Sequence, residues 1–203
     1  MNNPANITAP FLMVIAGPTM SGKTVFIKRF VQNFNYMFEK IIYCYASYQK
    51  IYDDIARLSS KVEFQAGFPE IASDNEVITL VVIDDLMFKN EKELADYFTR
   101  IRHCNVSIMF VSQDFFFDSK YMRTVTRNAT YFVIFNSPQD VNVIRSISKR
   151  MYPDKPGFLL DAYRQATQEA YSYLFLDCRI GEEYRVKTNI FPGDEFYVFQ
   201  PKA

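Results

Sequence analysis

The sequence predicts an α/β domain with helices covering a mostly parallel central sheet, and three observations predict it. Continuous apolar runs of strand length recur along the chain. Stretches with helical spacing alternate with them, as parallel β-α-β units require. The first run leads directly into Gly17-Pro-Thr-Met-Ser-Gly-Lys-Thr24, a full match to G-x-x-x-x-G-K-[ST], which belongs between a strand and a helix.

Taken in order, Phe11 to Ala16 is a strand apolar on both faces and is followed by glycine. From Lys23 to Phe34, Val25, Phe26, Phe30, Val31 and Phe34 recur at helical spacing. Ile41 to Tyr45 reads as a second strand and Tyr48 to Leu58 as a helix. Val77 to Ile83 is the next buried strand, ended by Asp84 and Asp85. Glu91 to Ile101 is an amphipathic helix with Leu94, Ala95, Phe98 and Ile101 on one side. Val106 to Ser112 is a strand, Asp118 to Arg127 a helix, Tyr131 to Phe135 a strand and Val141 to Met151 a helix. Tyr171 to Asp177 and Glu195 to Phe199 add strands around a polar turn at Gly181. With no repeat or linker, residues 1–203 are expected to form a single domain, with a flexible N-terminus over 1–10 and a C-terminal strand extension over 171–200.

Composition narrows the function classes. Half the residues are hydrophobic (49%) and 23% are charged, which suits one folded core. No apolar run approaches the roughly 18 residues of a membrane span. Cys44, Cys104 and Cys178 are widely spaced and odd in number, the pattern of reduced thiols in an intracellular protein, not of a disulfide framework or a zinc site. His103 stands alone, a poor metal ligand and a better hydrogen-bonding helix end. Lys+Arg and Asp+Glu are equal at 23 each, so any contact with nucleic acid needs a local patch or a surface assembled from several copies.

The glycine-bearing loop carries the chemistry. Gly17, Pro18, Thr19, Met20, Ser21 and Gly22 let the backbone fold back so that successive N–H groups face a phosphate, at the positive end of a helix. Lys23 reaches the β- and γ-phosphates of ATP, and the Thr24 hydroxyl ligates Mg²⁺. Leu80-Val-Val-Ile-Asp84-Asp85 places acids at the C-terminal edge of the sheet, where α/β folds bind ligands. Asp84 is expected to hold magnesium through water, and Asp85 to orient the attacking water as general base. Ser107 to Gln113 ends in a polar pair: Gln113 either reaches the γ-phosphate and the water or simply caps the strand.

At these motifs the chain resembles the FtsK–HerA superfamily, in particular the genome-packaging ATPases of large eukaryotic DNA viruses, virophages and Polinton-like elements. The resemblance rests on GPTMSGKT (17–24), LVVIDD (80–85), TRIRHCNVSIMFVSQ (99–113), MRTVTRNATYFVIFN (122–136) and TNIFPGDE (188–195). It implies a RecA-like core of the ASCE class with sheet order 5-1-4-3-2. It also implies a homo-oligomeric ring, pentameric or hexameric, that moves double-stranded DNA into a preformed capsid through contacts with capsid or vertex proteins. Such a protein works inside the infected host cell, in the nucleus or a cytoplasmic factory, with transient presence at the virion vertex. Gln113 matches the glutamine that ends the strand after the acidic one. Arg102 matches the arginine finger offered to a neighbour's ATP, with Arg100 and Arg127 as substitutes. Asp85 departs from the usual Asp-Glu pair of cellular relatives, and the shorter side chain shifts the base by about an ångström.

Other readings compete with these. Arg102 also suits an exposed helix-end charge. Lys120, Arg123 and Arg127 share one helix face, which is either solvated or set against DNA, and Phe115-Phe-Phe117 suits core or subunit contact better than base stacking. At the level of the whole protein the rivals are a cellular-type FtsK/HerA-like DNA translocase, a nucleotide-gated assembly module without appreciable turnover, and a small nucleotide kinase. The kinase lacks its arginine-rich lid here.

Overall fold

The computed structural model describes residues 4–70, 76–84, 96–99, 104–113 and 125–202. Their strands are β1 (Leu12–Ala16), β2 (Lys40–Tyr45), β3 (Val62–Ala66), β4 (Thr79–Asp84), β5 (Val106–Ser112), β6 (Tyr131–Phe135), β7 (Tyr173–Asp177), β8 (Val186–Thr188) and β9 (Tyr197–Phe199). The helices are α1 (Lys23–Phe34), α2 (Ile51–Leu58), α3 (Val141–Met151) and α4 (Phe158–Ala166). Residues 96–99 and 125–128 are also helical.

All nine strands join one sheet in the order β3-β2-β4-β5-β1-β6-β7-β8-β9. The first six of these neighbours pair in parallel and the last three additions pair antiparallel. Numbered by themselves, the five expected core strands β1, β2, β4, β5 and β6 lie in the order 5-1-4-3-2, as the resemblance implies.

The continuous apolar runs exist because both faces of the parallel strands are covered. Met13, Ile15, Tyr43, Leu80, Val82 and Met109 point to the side packed by α1 and α2. Val14, Cys44, Val81, Ile83, Ile108 and Phe110 point to the other, where Ile144 of α3 and Leu159 of α4 pack. Helix α1 buries Phe26, Ile27, Phe30, Val31 and Phe34. Val25, expected on that apolar face, is instead 44% exposed, because Ile27 takes the core position on this helix.

Helix α2 begins at Ile51, three residues later than its apolar pattern suggests; Tyr48 lies ahead of it and donates its hydroxyl to Asp53 (2.6 Å). Strands β3 and β8 and helix α4 go beyond the elements the sequence predicts. Strand β3 is an edge strand with mostly exposed polar residues, and β8 is three residues long with a lysine at its centre. Ahead of β1, Ala5 and Ile7 are buried, and the Lys187 ammonium donates to the Ala5 carbonyl (3.1 Å).

Candidate functional site

Register alone assembles the site. Ala16 of β1 lies beside Ser112 of β5, and Asp84 of β4 beside Val111, so the ends of three neighbouring parallel strands form one edge. The Gly17 amide continues the β1–β5 ladder by donating to the Ser112 carbonyl (3.3 Å). The loop from Gly17 to Thr24, Asp84 and Gln113 are thereby brought together over the C-terminal ends of the strands, where a crossover leaves a crevice. The crevice is a cleft of about 350 Å³ whose walls include Thr19, Lys23, Thr24, Asp84 and Gln113.

Two glycines make the loop possible. A Cβ on Gly17 would stand 2.6 Å from Cβ of Phe135 and 2.9 Å from the Ser21 hydroxyl, so no side chain fits there. Gly22 caps α1 with φ of 107°, a left-handed conformation that suits glycine. The amides at the start of α1 then face the cleft end of the helix without a side-chain cap. Lys23 folds back over the loop and donates to the carbonyls of Gly17 (2.6 Å) and Pro18 (2.8 Å). The Ser21 hydroxyl is buried with no hydrogen-bond partner among the described residues. A cationic amine, helix amides and a buried hydroxyl in one loop form a donor set for an anion of phosphate type.

Asp84 is 4% exposed, and two buried phenols hold it. Tyr43 donates to its Oδ2 at 2.6 Å and Tyr52 to the same oxygen at 3.2 Å. Burial, with the Asp84 charge adding to it, pushes the Tyr43 phenol well above its ordinary 10, which keeps it a donor. The carboxylate is thereby oriented and set in the wall of the same cleft as the Thr24 hydroxyl. One carboxylate and one hydroxyl, with phosphate oxygens and water completing the shell, fit the hard, water-retaining Mg²⁺ ion. Among the described residues no cluster of three His, Cys, Asp or Glu offers an all-protein metal cage. Thr19 of the loop donates its hydroxyl to Oε1 of Gln113 (3.2 Å).

Asp85, Arg100, Arg102, His103, Phe115 to Phe117, Lys120 and Arg123 lie outside the described residues. Arg127 is exposed and precedes β6, whose first residue Tyr131 pairs with Met13 at the start of β1. It thus stands at the end of the sheet opposite its own chain's cleft. The sequence reading overlooked Tyr43, Tyr52, Gln49, Val25 and Tyr171 as parts of the site. Two signals were available: a tyrosine at the centre of an otherwise aliphatic strand, and a helix residue left over once the core face is full.

Comparison with known proteins bears on fold and family. The family described as Poxvirus A32 protein matches residues 3–177, from ahead of β1 to the end of β7. No curated protein matches the sequence. Among solved structures, the genome packaging NTPase B204 from Sulfolobus turreted icosahedral virus 2 in complex with AMP is similar over 97% of this chain and 100% of its own, with a TM-score of 0.55 and 14% identity. Its complex with AMPPCP gives 0.53 at 15% identity over the same shares. Its complex with ATP-gammaS gives 0.52 at 13% identity, over 95% of this chain and 98% of the other. At such identities the likeness is one of fold, a P-loop NTPase with a mostly parallel sheet and antiparallel C-terminal strands. The resemblance that the motifs carry toward viral packaging ATPases therefore stands in both fold and family. With the matched span taking in the loop, Asp84 and Gln113, the chain belongs to the Poxvirus A32 protein family.

Proposed function

We propose that the chain is an ATP-hydrolysing subunit of a motor that moves double-stranded viral DNA into a preformed capsid. The observation that carries this reading is the single cleft in which Lys23, Thr24, Asp84 and Gln113 meet at the C-terminal edge of the sheet. The fold shared with a genome packaging NTPase solved with AMP and with ATP-gammaS supports it. So does membership of a poxvirus family.

In this reading the loop amides and Lys23 hold the β- and γ-phosphates of ATP. The Thr24 hydroxyl and Asp84, the latter through water, hold Mg²⁺, which supplies neutralisation of the triphosphate charge. Asp85 accepts the proton of the attacking water and Gln113 orients that water. The Gln113–Thr19 hydrogen bond couples this end of β5 to the loop that holds the phosphates. Arg102 of a neighbouring copy supplies the finger, a contribution of roughly 10³–10⁵ in rate in enzymes of this kind, with Arg100 or Arg127 as substitutes. Copies form a pentameric or hexameric ring, consistent with a chain whose net charge of zero leaves the DNA-facing surface to be built by several subunits. Capsid or vertex proteins dock the ring inside the infected cell.

The test is complementation between variants. Arg102→Ala and Asp85→Asn proteins are each expected to be inactive as ATPases. Mixed, they regenerate sites that combine an intact Asp85 with a neighbour's intact Arg102, and activity returns; no recovery at any mixing ratio would remove the finger acting in trans. Duplex DNA should stimulate the assembled wild type, and an assembly indifferent to DNA would favour the nucleotide-gated module instead.

A further inference from the structure

Three large apolar side chains left in solvent share a single place. Met20 (88% exposed), Val25 (44%) and Tyr171 (65%) all line the cleft of the phosphate loop. Among the described residues other tyrosines are exposed too, but Tyr171 is the most exposed of them and stands at the functional cleft beside two further exposed apolar side chains. The backbone carries a second sign. Tyr171 has φ of 64° and Met20 φ of 65°, left-handed conformations that cost free energy for residues other than glycine and persist where the surroundings enforce them.

Tyr171 sits in the turn between α4 and β7, which is closed by hydrogen bonds from the Ser172 amide (3.2 Å) and hydroxyl (2.6 Å) to the Glu169 carbonyl. That turn presses the ring against the start of α1: a Cβ on Gly22 would meet Cδ1 of Tyr171 at 3.1 Å and its Cβ at 3.2 Å. The ring therefore rests on the glycine that opens the helix, beside Val25 two residues past the loop lysine. The cleft thus has two chemistries. Lys23, Thr24, Asp84 and Gln113 suit a charged triphosphate and its metal, whereas Tyr171 and Val25 offer an apolar ledge beside it.

We infer that Tyr171, backed by Val25 and Met20, is the platform on which the purine base of the nucleotide stacks. This rests on the reading of the cleft as a nucleoside triphosphate site and adds the residue that recognises the base. Recognition is by the face of the ring system, so the ledge distinguishes nucleotides with a purine from bare polyphosphate more strongly than it distinguishes adenine from guanine.

Calorimetric titration of the protein with ATP and with inorganic tripolyphosphate tests this. Tyr171→Asn removes the ring while suiting the left-handed backbone. It should weaken ATP binding about ten-fold or more, in the range that loss of base stacking gives, and leave tripolyphosphate unchanged. Tyr171→Phe should keep ATP binding near that of the wild type. Because the chain has no tryptophan, Tyr171→Trp provides a lone indole whose fluorescence should be quenched by ATP and GTP and not by tripolyphosphate. Equal loss of ATP and tripolyphosphate binding in Tyr171→Asn would make the ring a mere prop for the loop and overturn the inference. So would an unchanged ATP affinity with an unquenched indole. A wild-type chain that binds neither ligand would overturn the nucleotide reading itself, an outcome distinct from the other two.

Discussion

Asp84 is a buried carboxylate whose Oδ2 is shared by two phenols, and the two are not equivalent. Tyr43 approaches to 2.6 Å and Tyr52 to 3.2 Å. Hydrogen bonds to an ionised acceptor strengthen as they shorten, and groups that orient a metal-binding residue typically contribute ten- to a hundred-fold to metal affinity or activity. Tyr43→Phe should therefore raise the magnesium concentration needed for half-maximal ATPase about ten-fold, and Tyr52→Phe should raise it less. A Mg²⁺ titration of the two variants checks the order; equal effects, or none, would show that Asp84 needs no such support. The loop and Asp84 were legible in the sequence because each lies within a run of contiguous residues. The phenols were not. Tyr43 belongs to the neighbouring strand, where the β2–β4 register sets Tyr45 beside Asp84, and Tyr52 reaches the carboxylate from α2, packed on the same face of the sheet.

At the scale of elements, the short strand β8 is held by charge as much as by ladder bonds. Lys187 at its centre is 2% exposed and reaches Asp177 of β7 at 3.3 Å and Glu182 at 3.6 Å, while Arg179 closes on Asp177 at 2.7 Å. The same ammonium donates to the Ala5 carbonyl, so this cluster ties the segment at Ala5 to the sheet. Replacing one member of a buried ion pair leaves its partner desolvated and uncompensated, at a cost of about 3–5 kcal/mol. Arg179 still serves Asp177, which puts Lys187→Met near the low end, about 3 kcal/mol. For a chain of this size that is a fall in Tm of about 6–12 °C, measurable by calorimetry, with nucleotide affinity unchanged because the cluster lies at the opposite end of the sheet from the cleft. The sequence could not announce this element. A three-residue strand with lysine at its centre reads as solvated turn, and the edge strand β3, VEFQA, has too few apolar positions to show a period. The five core strands, and β7 beside them, were legible because burial on both faces demands unbroken apolar runs, and these strands meet that demand.

Across the whole molecule, the same two-sided burial fixes how stability responds to alkali. The sheet's two cores enclose phenols and thiols that burial holds protonated. Tyr43, Tyr131 and Tyr173 are raised above 10, Cys44 is pushed from 9.0 to about 12, and Cys178 to about 11. Each group loses its proton near the ordinary value when unfolded but only at higher pH when folded. The unfolded chain therefore binds fewer protons than the native one above about pH 9, and stability falls as pH rises, by about 1.4 kcal/mol per pH unit for each group in its window. Well below pH 9 both states keep these protons and the groups contribute no slope. All five groups act in the same direction, and they act against a domain stability of only about 5–15 kcal/mol. The chain should lose its far-UV circular dichroism cooperatively between about pH 9 and 12, and the tyrosinate absorbance of the buried phenols should rise with that loss and not ahead of it. Full ionisation of all 14 tyrosines while the dichroism stays native would mean that the cores admit hydroxide without unfolding, which two faces packed around one sheet do not allow.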